Sequence, residues 1–243
     1  MTLNLVLRAV DGFLALSDGL RVGPPDDEGV LRTREIDDQK LLAVPGASAV
    51  IMTAGRATFN RIHVSNILAE VLKAGEGIDD LASLARRCAD ALTTESARVW
   101  SPHSAHLLLV GYDSALEFQA LQIDVPPTDT GDGPKNVRDV SYDPQVPVIA
   151  RPPSNTSSLL QVEFDAFVDS LDENAATEAP LVGGYRYAGL NLSVMKPFAL
   201  ARLRDWLIAN HSLADEDGIG GLWSIAEVRA AQLPYIEHGL DLV

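Results

Sequence analysis

The chain has 243 residues, 47% hydrophobic and 22% charged, which is long enough for one large domain with a full core. Its formal net charge of -15 argues against nucleic-acid binding, because phosphate contacts need a clustered basic surface. No apolar run approaches the length of a membrane span, and a single cysteine, Cys88, leaves no internal disulfide and no cysteine-rich metal site.

The chain opens with two expected strands, Leu3 to Ala9 and Phe13 to Asp18, split by Asp11-Gly12. A polar loop runs from Gly23 to Asp38. Lys40 to Val44 and Ser48 to Thr53 form a second strand pair about a Pro45-Gly46 turn. After Gly55 the period changes, and apolar residues from Phe59 to Leu72 recur at helical spacing. A second helix is expected from about Asp79, as N-cap, to about Val99, with Leu81, Leu84, Ala85, Cys88 and Leu92 on one face. That position makes Cys88 a buried structural thiol.

His106 to Tyr112 and Glu117 to Ile123 read as a further hairpin. Residues 124–158, rich in Pro, Gly, Asp, Ser and Thr, read as a long loop. A short helix around Leu160 to Leu171, a loop at Gly183-Gly184, a helix from Pro197 to about Asn210 and a strand from Leu222 to Arg229 complete the pattern.

Strands grouped before helices favour antiparallel sheets layered with helices over alternating βαβ units. Segments such as LVL, FLAL and LLLV are apolar on both faces, as in sheets covered on both sides. The expected fold class is α+β, a four-layer αββα sandwich of two antiparallel sheets flanked by helices. It forms one domain over residues 1–243 with an irregular insertion at about 124–182. The start, MTLNLVLRAVDG, lacks the basic region and long apolar core of a signal peptide, so a cytoplasmic location is expected.

The chain has no GxSxG elbow, no HExxH and no glycine-rich phosphate loop. Its five histidines show no ligand spacing, and neither a metal nor a cofactor is expected. The chemistry centres on Thr2. Once Met1 is trimmed, its hydroxyl and α-amino group share one residue. A free α-amino group titrates at about 7.7–8.0, so near neutrality it can accept the hydroxyl proton, directly or through one water. On position alone, the alternative is that Thr2 merely begins a strand.

The spacing of further residues resembles proteasome β subunits and their bacterial ring-protease relatives. Thr2 opens the first strand, Gly12 lies in the turn, and Asp18 ends the second strand sixteen residues after the threonine. Lys40 in QKLLAVPG and Gly55 in VIMTAG match the family's lysine and oxyanion glycine, and DGIGGLWSIAEV places Asp217 on a family aspartate. Among the departures, Gly220 stands where the family has a serine, and Arg21 is displaced by one position.

The resemblance implies an N-terminal-nucleophile hydrolase, a threonine-type peptidase. Thr2 attacks, and Lys40, held by Asp18, lowers the pKa of hydroxyl and amine. Gly55 N–H stabilises the oxyanion, and Asp217 orients the amino terminus. Asp38 and Thr53 would line the specificity pocket. It further implies a homo-oligomeric ring acting on peptides or unfolded proteins, with an ATPase partner left open and neither nucleic acid nor membrane involved. A catalytically silent assembly subunit and a small-amide hydrolase of the same class stand as alternatives.

The hairpin offers a geometric expectation. A three-residue loop, Val10-Asp11-Gly12, with Gly12 left-handed, puts Asp18 opposite Asn4 and on the face of Thr2, roughly 7–8 Å away diagonally.

Overall fold

The computed structural model describes residues 3–22, 34–35, 39–55, 57–59, 62–73, 80–97, 104–129, 134–141, 148–150, 167, 170–171, 186–211 and 219–242. In chain order the strands are β1 (Asn4–Ala9), β2 (Gly12–Ser17), β3 (Arg21–Val22), β4 (Arg34–Glu35), β5 (Leu41–Ala43), β6 (Ala49–Gly55), β7 (Thr58–Phe59) and β8 (Ile62–His63). Helices α1 (Val64–Lys73) and α2 (Leu81–Ser96) follow. Next come β9 (Ala105–Tyr112), β10 (Phe118–Asp129), β11 (Pro134–Asp139), β12 (Val148–Ala150), a short 3-10 turn at Tyr187–Gly189, helix α3 (Leu192–Ala209), β13 (Trp223–Val228) and β14 (Tyr235–Leu240). The fold is α+β, built on two five-stranded sheets.

The chain forms two compact units. One comprises Met1–Gln39, Pro144–Glu227 and Ile236–Val243, the other Lys40–Asp143 and Val228–Tyr235. The first holds a sheet of order β12-β1-β2-β13-β14. Alternation sends Leu3, Leu5 and Leu7 of the first strand and Leu14 and Leu16 of its partner to one face. There they pack with Leu192, Met195, Ala199, Leu203 and Trp206 of α3 and with Trp223 and Ile225. Burying each such leucine contributes roughly 1.5–3 kcal/mol. Val6, Phe13 and Ala15 on the opposite face are equally buried, as the doubly apolar segments predict.

The second unit holds a sheet of order β11-β10-β9-β6-β5. Ala49, Ile51, Leu107, Leu109, Leu121 and Ile123 pack against Leu68 and Leu72 of α1 and Leu84, Cys88 and Leu92 of α2. Cys88 is the buried thiol expected, and burial pushes it up to about 12. The cap of α2 is Asp80, one residue after the expected Asp79, and it accepts from Ala82 N–H at 2.9 Å and Ser83 N–H at 3.1 Å. The Pro45-Gly46 turn forms as read: Ala47 N–H donates to Val44 C=O at 3.2 Å, and Gly46 takes the positive φ of 73° that a type II turn requires.

Four expectations need correction. The first hairpin pairs Asn4 with Ser17 and Ala9 with Gly12, so its loop is the two residues Val10-Asp11. Gly12, at φ 159°, is essentially extended and not left-handed. Asp18 therefore lies across from Leu3, not Asn4, and the register that was to set it on the face of Thr2 is absent. The cause is distant: Asp11 accepts from Leu192 N–H at 2.7 Å, satisfying a donor at the start of α3, and Val10 N–H donates to Leu190 C=O at 3.0 Å.

Helix α1 begins at Val64, because Phe59, Ile62 and His63 belong to the β7–β8 hairpin and Ser65 N–H donates to His63 Nδ1 at 3.3 Å. Helix α3 begins five residues before Pro197, behind Asn191, whose Oδ1 accepts from Val194 N–H at 3.2 Å. Much of the expected loop after Ile123 is strand. The tenth strand runs on to Asp129 and pairs with Pro134–Asp139, with a register shift between Ile123 and Thr128 that accommodates Pro126 and Pro127. Of the helix expected over Leu160 to Leu171, Phe167, Ser170 and Leu171 are described and helical. Among the described residues, no helix is long and apolar enough to cross a membrane.

Candidate functional site

In the first unit the polar residues gather at the open end of the β1–β2 hairpin. Asn4, Ser17 and Asp18 are almost fully buried, and Ser17 Oγ donates to Asn4 Oδ1 at 2.6 Å. Asp18 is 0% exposed; its Oδ1 accepts from Leu3 N–H at 2.8 Å and its Oδ2 from Gly220 N–H at 3.3 Å. Leu20 N–H returns a bond to Gly220 C=O at 2.8 Å. A buried carboxylate persists only where donors replace its hydration, and here the backbone supplies them. The result clamps the backbone of Leu3, the residue after Thr2, to the segment entering β13. Thr2, Asp217 and Asp38 themselves lie outside the described residues.

In the second unit, Lys40 is 5% exposed and precedes β5 directly. Thr53 N–H donates to Lys40 C=O at 2.8 Å, so the lysine and the half-buried Thr53 sit side by side on neighbouring strands. Two residues further along β6, Gly55 has φ 76°. A Cβ there would come within 2.4 Å of Ser104 O and 3.2 Å of His106 Cδ2, so only glycine permits this close approach.

A second polar cluster, not anticipated, adjoins that glycine. Ser104 Oγ and His106 Nε2 are 2.7 Å apart, and His106 Nδ1 and Asp124 Oδ1 are 2.7 Å apart. Arg138 donates to Asp124 Oδ2 at 2.7 Å and Gln122 Nε2 to Oδ1 at 3.0 Å. Burial opposes ionisation of Asp124, but the hydrogen bonds from His106, Gln122 and Arg138 outweigh it and bring the carboxyl down to about 2. The sequence carried a signal for this cluster. Ser104 and His106 are two apart at the start of an expected strand, and the expected hairpin already brought the end of its second strand close to His106. Among the described residues, no group of three or more His, Cys, Asp or Glu side chains could hold a metal ion.

No protein-family model and no curated protein matches the chain. Solved structures do share its fold. A mutant Anbu from Hyphomicrobium sp. strain MC1 is 10% identical with a TM-score of 0.58, over 99% of this chain and 88% of that one. Anbu from Yersinia bercovieri, described as an ancestral beta-subunit, is 12% identical with a TM-score of 0.59, over 99% and 87%. The Anbu complex of Pseudomonas aeruginosa, described as a helical assembly, is 14% identical with a TM-score of 0.56, over 98% and 86%. Likeness at these identities shows the fold alone. It also corrects the resemblance drawn from the sequence. With no family match, and with Anbu structures as neighbours at 10–14% identity, membership of the proteasome β-subunit family is not sustained. The shared feature is the Anbu fold.

Proposed function

We propose that this chain is an N-terminal-nucleophile hydrolase, a threonine-type peptidase working within a homo-oligomeric assembly. The observation that carries the reading is the Asp18 clamp. A fully buried carboxylate spends one oxygen on Leu3 N–H at 2.8 Å, a costly arrangement whose direct product is a fixed backbone beside Thr2. An N-terminal nucleophile needs that fixity, because its amine and hydroxyl must hold one geometry toward the scissile carbonyl.

In this reading, Thr2 Oγ attacks the amide carbon while the α-amine takes the hydroxyl proton and passes it to the leaving amine; water then releases the acyl group. Lys40 supplies the cation that favours the deprotonated forms. Gly55 N–H is the oxyanion donor, a contact worth about 3–4 kcal/mol in comparable sites. Asp217 orients the amine, and Asp38 and Thr53 contribute to side-chain selection. The same reading takes the fold as the four-layer αββα sandwich. The helical assembly described for the Pseudomonas aeruginosa neighbour supports an oligomer here.

Intact mass of the mature protein is the first test, since a chain retaining Met1 cannot use the Thr2 amine. A peptide epoxyketone should then form one covalent adduct, located on Thr2 by peptide mapping and absent from Thr2→Ala. Retention of Met1, or an adduct that survives Thr2→Ala, sinks the proposal. Light scattering tests the assembly, and a monomer would refute that part.

A further inference from the structure

The Ser104–His106–Asp124 cluster belongs entirely to the second unit and plays no part in the Thr2 reading. We propose that it is a separate acyl-transfer site, with Ser104 as nucleophile, His106 as general base and Asp124 as the carboxylate that orients the imidazole. Its substrates would be esters or other activated acyl compounds.

The bonding fixes which ring nitrogen faces the carboxylate. Asp124 is ionised at neutral pH, so it can only accept, and His106 Nδ1 must carry the hydrogen of the 2.7 Å contact. When the ring carries no second proton, Nε2 is the lone pair to which Ser104 O–H donates across the 2.7 Å contact. This is the tautomer a serine nucleophile requires. Both distances fall in the range for proton transfer.

The setting is equally suited. His106 and Asp124 are direct cross-strand partners on β9 and β10, so rigid strands preset the pair, and Ser104 lies just before β9, two residues ahead of the histidine. Arg138 and Gln122 hold the carboxylate from the far side. Exposure is graded: Asp124 is 1% exposed and the His106 side chain 9%, whereas Ser104 is half-buried and reachable. Gly55, which lacks a side chain, lets the Ser104 carbonyl and the His106 ring pack directly against its backbone.

The step balances without a further reagent. Ser104 Oγ bonds to the carbonyl carbon as its proton moves to His106 Nε2. The alkoxide then departs with that proton as alcohol. Water repeats the path and releases the acid, regenerating the serine.

The test uses the full chain and a fluorophosphonate. Ser104 Oγ attacks phosphorus, fluoride leaves, and the proton passes through His106 to solvent. Peptide mapping should find one phosphonyl group on Ser104, equally in Thr2→Ala and in the parent, and none at that position in Ser104→Ala. The native chain should react at least about 100-fold faster at Ser104 than the same chain in urea, and His106→Gln should lose a similar factor. The native-against-urea comparison needs no variant, so a His106→Gln protein that fails to fold leaves the test intact. No label on Ser104, equal rates in the native and unfolded chain, or a folded His106→Gln that labels at the parent rate would each overturn the proposal.

Discussion

Replacing Asp18 by alanine removes a carboxylate that is 0% exposed and leaves Leu3 N–H and Gly220 N–H without the acceptors they have at 2.8 and 3.3 Å. Each buried donor stripped of its partner costs about 1–3 kcal/mol, so the pair costs about 4 kcal/mol, with most of it on the shorter bond. A domain is stabilised by only about 5–15 kcal/mol in all, which makes this a large fraction. For a chain of this size, the thermal midpoint should fall by roughly 8–16 °C. Asp18→Asn keeps one acceptor oxygen but turns an amide donor toward a backbone donor, so it should lose roughly half as much. Calorimetry of the two variants beside the parent provides the measurement. A midpoint within about 2 °C of the parent for the alanine variant would refute the claim that this carboxylate fastens the hairpin to the segment before β13.

Gly55→Ala forces a methyl to 2.4 Å from Ser104 O at a φ of 76°. The left-handed backbone alone costs about 1–2 kcal/mol, and parting the ends of β6 and β9 adds to it, so urea unfolding should show a loss above about 2 kcal/mol. An unchanged midpoint would contradict the close approach. Asp124 predicts a pH dependence. Its carboxyl lies at about 2 in the folded chain against the ordinary 3.8. A depressed carboxyl stabilises the folded state above its unfolded value and loses that contribution as pH falls toward the folded value. About 2 kcal/mol should therefore be present at pH 7 and vanish between about pH 4 and pH 2. Asp124→Asn should accordingly be destabilised at pH 7 and converge on the parent near pH 2, as urea titrations at several pH values will show; a gap that stays constant with pH refutes the assignment.

What the sequence made legible was local. Pro45-Gly46 forms its turn because proline and glycine each supply the dihedral their position needs. Helix α2 follows from a period of 3.6, and its cap falls on Asp80, the second of two adjacent aspartates, rather than on Asp79. Lys40 and Thr53 emerge side by side because both lay on strands whose pairing the turn dictates. What escaped depended on partners far along the chain. Asp11-Gly12 has the signature of a hairpin turn, yet Asp11 serves Leu192, 181 residues away, and the loop shifts to suit. Asn191 is a good cap, but Pro197 is a more conspicuous helix start. The serine–histidine–carboxylate cluster carries no contiguous motif, since its acid sits on the facing strand.

The hairpin that opens the chain is tied at both ends to residues made late: Asp11 across 181 positions and Asp18 across 202. A ribosome adding about 5–20 residues per second needs roughly 10–40 s between making Asp18 and making Gly220. Until then Asp18 lacks the Gly220 donor that ties it to the segment entering β13. The backbone beside Thr2 thus gains this tie only after Gly220 has been made, so on the proposed reading the nucleophile is not assembled before then.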